Sequence, residues 1–112
     1  MKNAIVIGSG IGGLSASVRL AAKGFKVKVF EAKEFLGGKL SQMEQDGYRW
    51  DAGPSVFTLP HIIDELIRYA GKEPKDYFDY EKLDESFRYF WVDGTRLTYY
   101  HDQEKLKNEI ET

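Results

Sequence analysis

The chain opens on an unbroken apolar run, Ala4-Ile5-Val6-Ile7, that ends at a cluster of glycines. A short β-branched run without polar alternation predicts a fully buried strand of a parallel sheet over residues 3–7. From Leu14 to Lys23 the period changes: Leu14, Ala16, Ser17, Leu20 and Ala21 recur at helical spacing, and Gly24 supplies the stop. Phe25 to Phe30 then alternates apolar with basic residues, as a strand with a more exposed face does. Strand, glycine turn, helix and strand make a βαβ unit. Next, Lys39–Gln45 and Tyr48–Trp50 flank Asp46-Gly47 and predict a hairpin with a tight turn. Pro60 opens a second helix with Ile62, Ile63, Leu66, Ile67 and Ala70 on one face, and Gly71 closes it. A second hairpin is expected from Ser86–Val92 and Thr95–Tyr100 around Asp93-Gly94, and a last helix after Asp102 as N-cap, with Leu106 and Ile110 pointing inward.

Composition narrows the class. At 112 residues, 42% hydrophobic and 30% charged, the chain has the make-up of a globular protein with one modest core. Sixteen basic and 18 acidic side chains are mixed along it for a net charge of −2, which leaves no basic face for nucleic acid. The absence of cysteine removes disulfides, thiolate metal sites and cysteine nucleophiles together. His61 and His101 stand far apart without acidic ligands at metal-site spacing, so each reads as a helix-end or surface residue and no metal is expected. The run at residues 4–7 is too short for a signal-peptide core, no stretch is long enough to span a bilayer, and the expected location is cytoplasmic.

Four groups of residues carry candidate chemistry. Gly8-Ser9-Gly10-Ile11-Gly12-Gly13 satisfies G-x-G-x-x-G between the first strand and the first helix. There Gly8 permits the tight turn, Gly10 lets backbone approach a pyrophosphate, and Gly13 lets helix and strand pack closely. The helix N-terminus faces the phosphates with its unpaired N–H groups. Glu31, followed by Ala32, ends the second strand 18 residues after Gly13, where a carboxylate can accept the hydroxyls of an adenosine ribose and repels a 2′-phosphate. Gly37-Gly38-Lys39 adds a close-approach turn and a cation suited to a diphosphate, a feature that NAD-binding βαβ units do not need and that favours FAD. Asp51-Ala52-Gly53-Pro54-Ser55 forms a stiff loop with a side chain missing at Gly53, suited to a flat ring lying against backbone. No residue demands a role as acid, base or nucleophile, and no catalytic residue is assigned.

On these residues the chain resembles the amino terminus of the FAD-dependent amine-oxidase-like superfamily, and most of all the bacterial-type phytoene desaturases. The resemblance is carried by Gly8, Gly10 and Gly13, by Gly13-Leu14-x-Ala16, by Glu31, by Gly37-Gly38 and by Asp51 to Ser55. Phe57-Thr58-Leu59-Pro60 and Asp93-Gly94-Thr95 are also similar to the desaturase branch. One departure is Lys39, where the superfamily usually has arginine; a point charge cannot make the same bidentate contact. The resemblance implies a Rossmann-like α/β FAD-binding unit with hairpin and helical additions, an incomplete doubly wound domain. Residues 1–73 would belong to the FAD-binding domain and 74–112 would begin a substrate-domain region. The implied parent is a longer oxidoreductase that introduces double bonds into an apolar polyene and works peripherally at the membrane where such substrates dissolve, this portion alone being inactive. Two alternatives stay open: another oxidase of the superfamily acting on an amine, porphyrinogen or retinoid, or a nucleotide-binding module without redox chemistry. The aromatics Phe87, Tyr89, Phe90, Trp91, Tyr99 and Tyr100 read as cross-strand packing before they read as a substrate path. The first strand of a doubly wound sheet has neighbours on both sides. Residues 4–7 are therefore expected either to self-associate, to swap segments, or to be covered by a later hairpin of the same chain.

Overall fold

The computed structural model describes residues 1–111 and has the α/β architecture expected. In chain order the elements are β1 (Asn3–Ile7), α1 (Ile11–Ala22), β2 (Lys26–Phe30), β3 (Gln42–Gln45), β4 (Tyr48–Asp51), α2 (Pro60–Tyr69), a 3-10 turn (Pro74–Asp76), β5 (Glu85–Phe90), β6 (Arg96–Tyr100) and α3 (Gln103–Glu111). They fall into two compact units, Met1–Phe78 and the remainder from Asp79. The first unit runs past residue 73 because Pro74 is buried and its 3-10 turn packs on α2.

In the first unit β1 and β2 pair in parallel, Asn3 opposite Lys26 through Ile7 opposite Phe30. The ladder extends at both ends, with Lys26 N–H donating to Lys2 O (2.9 Å) and Gly8 N–H to Phe30 O (2.7 Å). Helix α1 crosses between the strands and covers one face of the pair, the face of Ala4, Val6 and Val27. The opposite face is bare: Ile5 is 66% exposed, Ile7 88% and Phe30 55%. A fully buried β1 is thus corrected to a strand buried on one side. The β-branched run is written for two apolar neighbours, and among the described residues only α1 is present to supply one. The β3–β4 hairpin of the same unit does not pair with β1, because it forms its own two-stranded sheet.

Helix α1 begins at Ile11, three residues before the expected Leu14, so Gly12 and Gly13 lie inside its first turn and Gly10 is the N-cap. Apolar periodicity could not show this, since glycines carry no side chain to count. Both α1 and α2 end as their glycines suggest. Phe25 N–H reaches back to Leu20 O and Gly24 N–H to Ala21 O, and Lys72 and Gly71 repeat the pair of bonds on Ile67 and Arg68. Gly24 and Gly71 adopt the left-handed conformation that this C-terminal motif requires. Leu66 of α2 is the buried apolar residue of the core, whereas Ile62, expected beside it, is 47% exposed. Strand β3 starts at Gln42 rather than Lys39, because the Gly37-Gly38 turn, closed by Leu40 N–H on Gly37 O (3.1 Å), takes the residues before it.

The second unit is the β5–β6 hairpin with α3 packed on β6. Asp93 Oδ1 accepts the Thr95 N–H at 2.9 Å in the turn, which leaves Trp91 and Val92 outside the strand expected to hold them. Phe87 and Tyr99 are register partners with ring centroids 6.2 Å apart, and Tyr89 stacks on Trp91 at 5.8 Å. The first contact is the expected cross-strand packing, whereas the second runs along a single segment of chain. Asp102 caps α3 as foreseen, accepting the Lys105 N–H at 2.9 Å. Of the two inward residues expected on α3, Leu106 is half-buried but Ile110 is 65% exposed. The inward position near the helix end belongs instead to Glu109, whose Oε1 accepts the β6 amide of Thr98 at 2.9 Å. Among the described residues no helix is long and apolar enough to cross a membrane.

Candidate functional site

The chain places the four sequence groups around one loop cluster at the C-terminal ends of β1 and β2. After Ile7 the backbone turns at Gly8, whose φ of +96° is closed to ordinary side chains, and enters α1 at Ile11. Leu14 N–H donating to Gly10 O at 2.9 Å starts the helix. Gly13 is required by packing: a Cβ there would collide with the carbonyl oxygen of Gly8 and stand 3.5 Å from Val6 Cγ1. Gly10 and Gly12 differ in kind. A Cβ at either meets nothing within 4 Å, so the space beside them is open.

The second glycine pair closes on the first. Gly37 N–H donates to Ser9 O at 3.0 Å, Gly10 and Gly37 form a parallel bridge, and a Cβ on Gly38 would come within 3.0 Å of Gly10 Cα. Gly53 in turn sits so tightly on Lys39 that a Cβ would strike the Lys39 carbonyl oxygen, while Ala52 N–H donates to Ser41 O at 2.8 Å. Three glycine-bearing loops, distant in sequence, therefore lie backbone against backbone.

Glu31 joins them through Ser9. Its Oε2 accepts both the Ser9 hydroxyl (2.6 Å) and the Ser9 N–H (2.8 Å), and its Oε1 accepts the Lys33 N–H (3.0 Å). The Ser9 hydroxyl, then the amides of Lys33 and Ser9, hold the carboxyl down to a pKa of about 2, against a small opposing effect of burial. A carboxylate oxygen offers about two acceptor positions, so Ser9 fills those of Oε2, whereas Oε1 carries the Lys33 amide. Ala32, the next residue, is exposed.

An apolar cleft of about 580 Å³ continues the cluster, walled by Gly10, Ile11, Gly37, Lys39, Pro54 and Phe57 among others. Leu59, at its edge, takes a left-handed φ of 52° where α2 begins. A second cleft, of about 670 Å³, is lined by Gly53, Glu44, Arg49 and Asp51 among others and includes none of Gly8–Gly13. Ser55 and Ala32 line neither. Sequence reasoning missed the cleft walls Val56, Phe57, Ile62 and Ile63: it read the two isoleucines as a core face, took Phe57 only as part of the resemblance, and assigned Val56 nothing. The available signal was the apolar Val56-Phe57 pair directly after the Gly53-Pro54 loop.

These residues suit an anionic diphosphate with an apolar extension. Helix α1 points its first amides into the open space at Gly10 and Gly12, with no side-chain cap to satisfy them and no acid in the first turn. Lys39 shares the same cleft. Residues 6–71, more than half of the chain, match the family described as NAD(P)-binding Rossmann-like domain. The 1-hydroxycarotenoid 3,4-desaturase of Flavobacterium sp. (strain P99-3) is 54% identical over 95 residues, 85% of this chain and 19% of that protein. The carotenoid 3,4-desaturase of Haloarcula japonica is 40% identical over 98% of this chain and 22% of its own length. Among solved structures, wild-type putrescine oxidase bound to putrescine superposes with a TM-score of 0.55 and 26% identity over 98% of this chain and 24% of that one. The chain spans about a fifth of the length of the curated relatives it matches. With its parallel βαβ unit, its glycine cluster and this match from Val6 to Gly71, the chain belongs to the NAD(P)-binding Rossmann-like domain family.

Proposed function

We propose that this chain is the dinucleotide-binding portion of a longer FAD-dependent oxidoreductase that desaturates a carotenoid-type polyene. The observation that carries the cofactor is the meeting of Gly10, Gly37-Gly38 and Lys39 at the N-terminus of α1, with Glu31 alongside. The open backbone at Gly10 and Gly12 and the first amides of α1 would hold the pyrophosphate, Gly8 and Gly13 shape the turn and its packing, and Lys39 would balance the phosphate charge. Glu31, held by Ser9 and followed by Ala32, would take the adenosine ribose, and Ile11 walls the apolar cleft. Pro54, on the wall of the apolar cleft, with Gly53 and Ser55 beside it in the same loop, would face the ring system. Bound FAD supplies the oxidant that removes hydrogen from adjacent carbons. This chain's own residues bind and orient it and provide no acid or base.

The polyene rests on the named relatives, two of them carotenoid 3,4-desaturases. In this reading the first unit holds the cofactor, the second opens the substrate domain, and the enzyme works in the cytoplasm and docks peripherally on the bilayer that dissolves its substrate. The test is incubation of the full-length protein with carotenes and hydroxycarotenes in the presence of an added two-electron acceptor such as a quinone. A product lighter by two hydrogens for each new double bond is expected. Turnover of amines with no polyene product would overturn the substrate assignment.

A further inference from the structure

Ser9 is the one described residue with no exposed surface, yet it is polar and sits among glycines in a loop otherwise open to solvent. Its main chain already has work: the carbonyl takes the Gly37 amide, and its N–H reaches Glu31. The hydroxyl adds a second bond to the same oxygen of Glu31, across 22 residues of sequence. Two donors on Oε2, with the Lys33 amide on Oε1, fix the carboxylate plane and leave Oε1 to meet a ligand. A glutamate at a strand end otherwise has three side-chain torsions to order when it binds.

We propose that Ser9 is a positioning residue: its hydroxyl holds Glu31 in the orientation that recognises the ribose hydroxyls of the adenosine half of the dinucleotide. The inference rests on the dinucleotide reading above and assigns the specificity for ribose to a pair rather than to Glu31 alone. Ser9 itself touches no ligand. Its low exposure and its bond to Glu31 also keep water from competing for that oxygen. The lowered pKa of Glu31, whose largest cause is the Ser9 hydroxyl, agrees with the geometry.

The experiment compares ADP with 2′-deoxy-ADP as probes of the protein freed of bound dinucleotide, in wild type, Ser9→Ala and Glu31→Gln. A hydrogen bond to a charged partner corresponds to a preference of about tenfold or more for ADP in the wild type. Ser9→Ala keeps both backbone bonds and should lose most of that preference while binding 2′-deoxy-ADP as before, since a general loosening of the loop would weaken both probes alike. A Ser9→Ala protein that retains the wild-type preference, while Glu31→Gln loses it, would overturn the role of Ser9 and leave the dinucleotide reading standing. Equal binding of the two probes by wild type and Glu31→Gln would overturn both. If Ser9→Ala does not fold, the wild type alone decides by carbon-13 titration of the Glu31 carboxyl. Ionisation near pH 2 supports the lock, and ionisation at the ordinary value of 4.5 contradicts it.

Discussion

Gly10 and Gly13 belong to one sequence pattern, but the structure gives them opposite duties, and alanine at each position separates them. At Gly13 the new methyl would overlap the Gly8 carbonyl oxygen and approach Gly8 C at 3.1 Å, both backbone atoms that no rotamer change can clear. Helix α1 must then lift from the end of β1, an overpacking defect that costs about 1–3 kcal/mol. For a unit of the size of Met1–Phe78, 2 kcal/mol corresponds to a Tm lower by about 8–16 °C. At Gly10 the backbone is extended, φ −67° and ψ 173°, and the methyl meets nothing within 4 Å. Replacing a flexible glycine there gains about 0.4–1 kcal/mol, and alanine as an N-cap loses about as much, so stability should move by less than about 0.5 kcal/mol. Dinucleotide affinity should behave in reverse, falling at least about tenfold in Gly10→Ala because the methyl occupies the space a pyrophosphate needs. Urea unfolding followed by circular dichroism reads the first quantity, and titration with FAD reads the second. A Gly13→Ala midpoint equal to wild type, or a Gly10→Ala protein that binds FAD normally, would refute the division of labour.

Three further outcomes follow from the same geometry. Glu31 is held at a pKa of about 2 in the folded chain against 4.5 for the free group, so the stability it contributes is present above about pH 4.5 and is lost as pH falls toward 2. Acid unfolding of wild type should steepen in that window, and Glu31→Gln should flatten it; identical profiles would contradict the bond network. The bare face of β1–β2 should make the chain self-associate at high concentration, and Ile5→Lys with Ile7→Lys should return it to a monomer in sedimentation, since each exposed isoleucine is worth about 1.5–3 kcal/mol when covered; unchanged sedimentation would place the contact elsewhere. Asp102→Ala removes the cap of the nine-residue α3 and should cost about 0.5–2 kcal/mol with loss of helical signal, and an intact signal would show that the packing on β6 suffices.

Much of this fold is written in local patterns. The period change at Leu14, the glycines at 24 and 71, Pro60 and the two aspartate-glycine turns each mark an element that the structure contains. What local pattern could not convey depends on the neighbours present in space. The β1 run reads as buried on both faces because apolar periodicity records the environment a strand is built for, whereas Ile7 has only α1 across the sheet and lies bare. Ile110 fits a helical stripe, but α3 is short and, among the described elements, packs on β6 alone, so the stripe outruns the surface that could cover it. For the candidate site, Gly8 and Gly13 were legible because each answers to a main-chain requirement, a positive φ at Gly8 and the close approach of Gly13 to the Gly8 carbonyl. The Ser9–Glu31 lock was not, since a serine between glycines has many local uses and its partner lies 22 residues away. The contact of Gly38 with Gly10, and of Gly53 with Lys39, are likewise long-range facts.

The central claim is that the glycine cluster, Glu31 and Lys39 form an FAD site. Its most direct test is to purify the full-length protein, record its visible spectrum, and compete any bound dinucleotide with NAD. A yellow protein holding about one flavin per chain, released by denaturation as FAD and not displaced by excess NAD, is the predicted result. A colourless protein that binds NAD tightly and is unaffected by FAD would contradict the account.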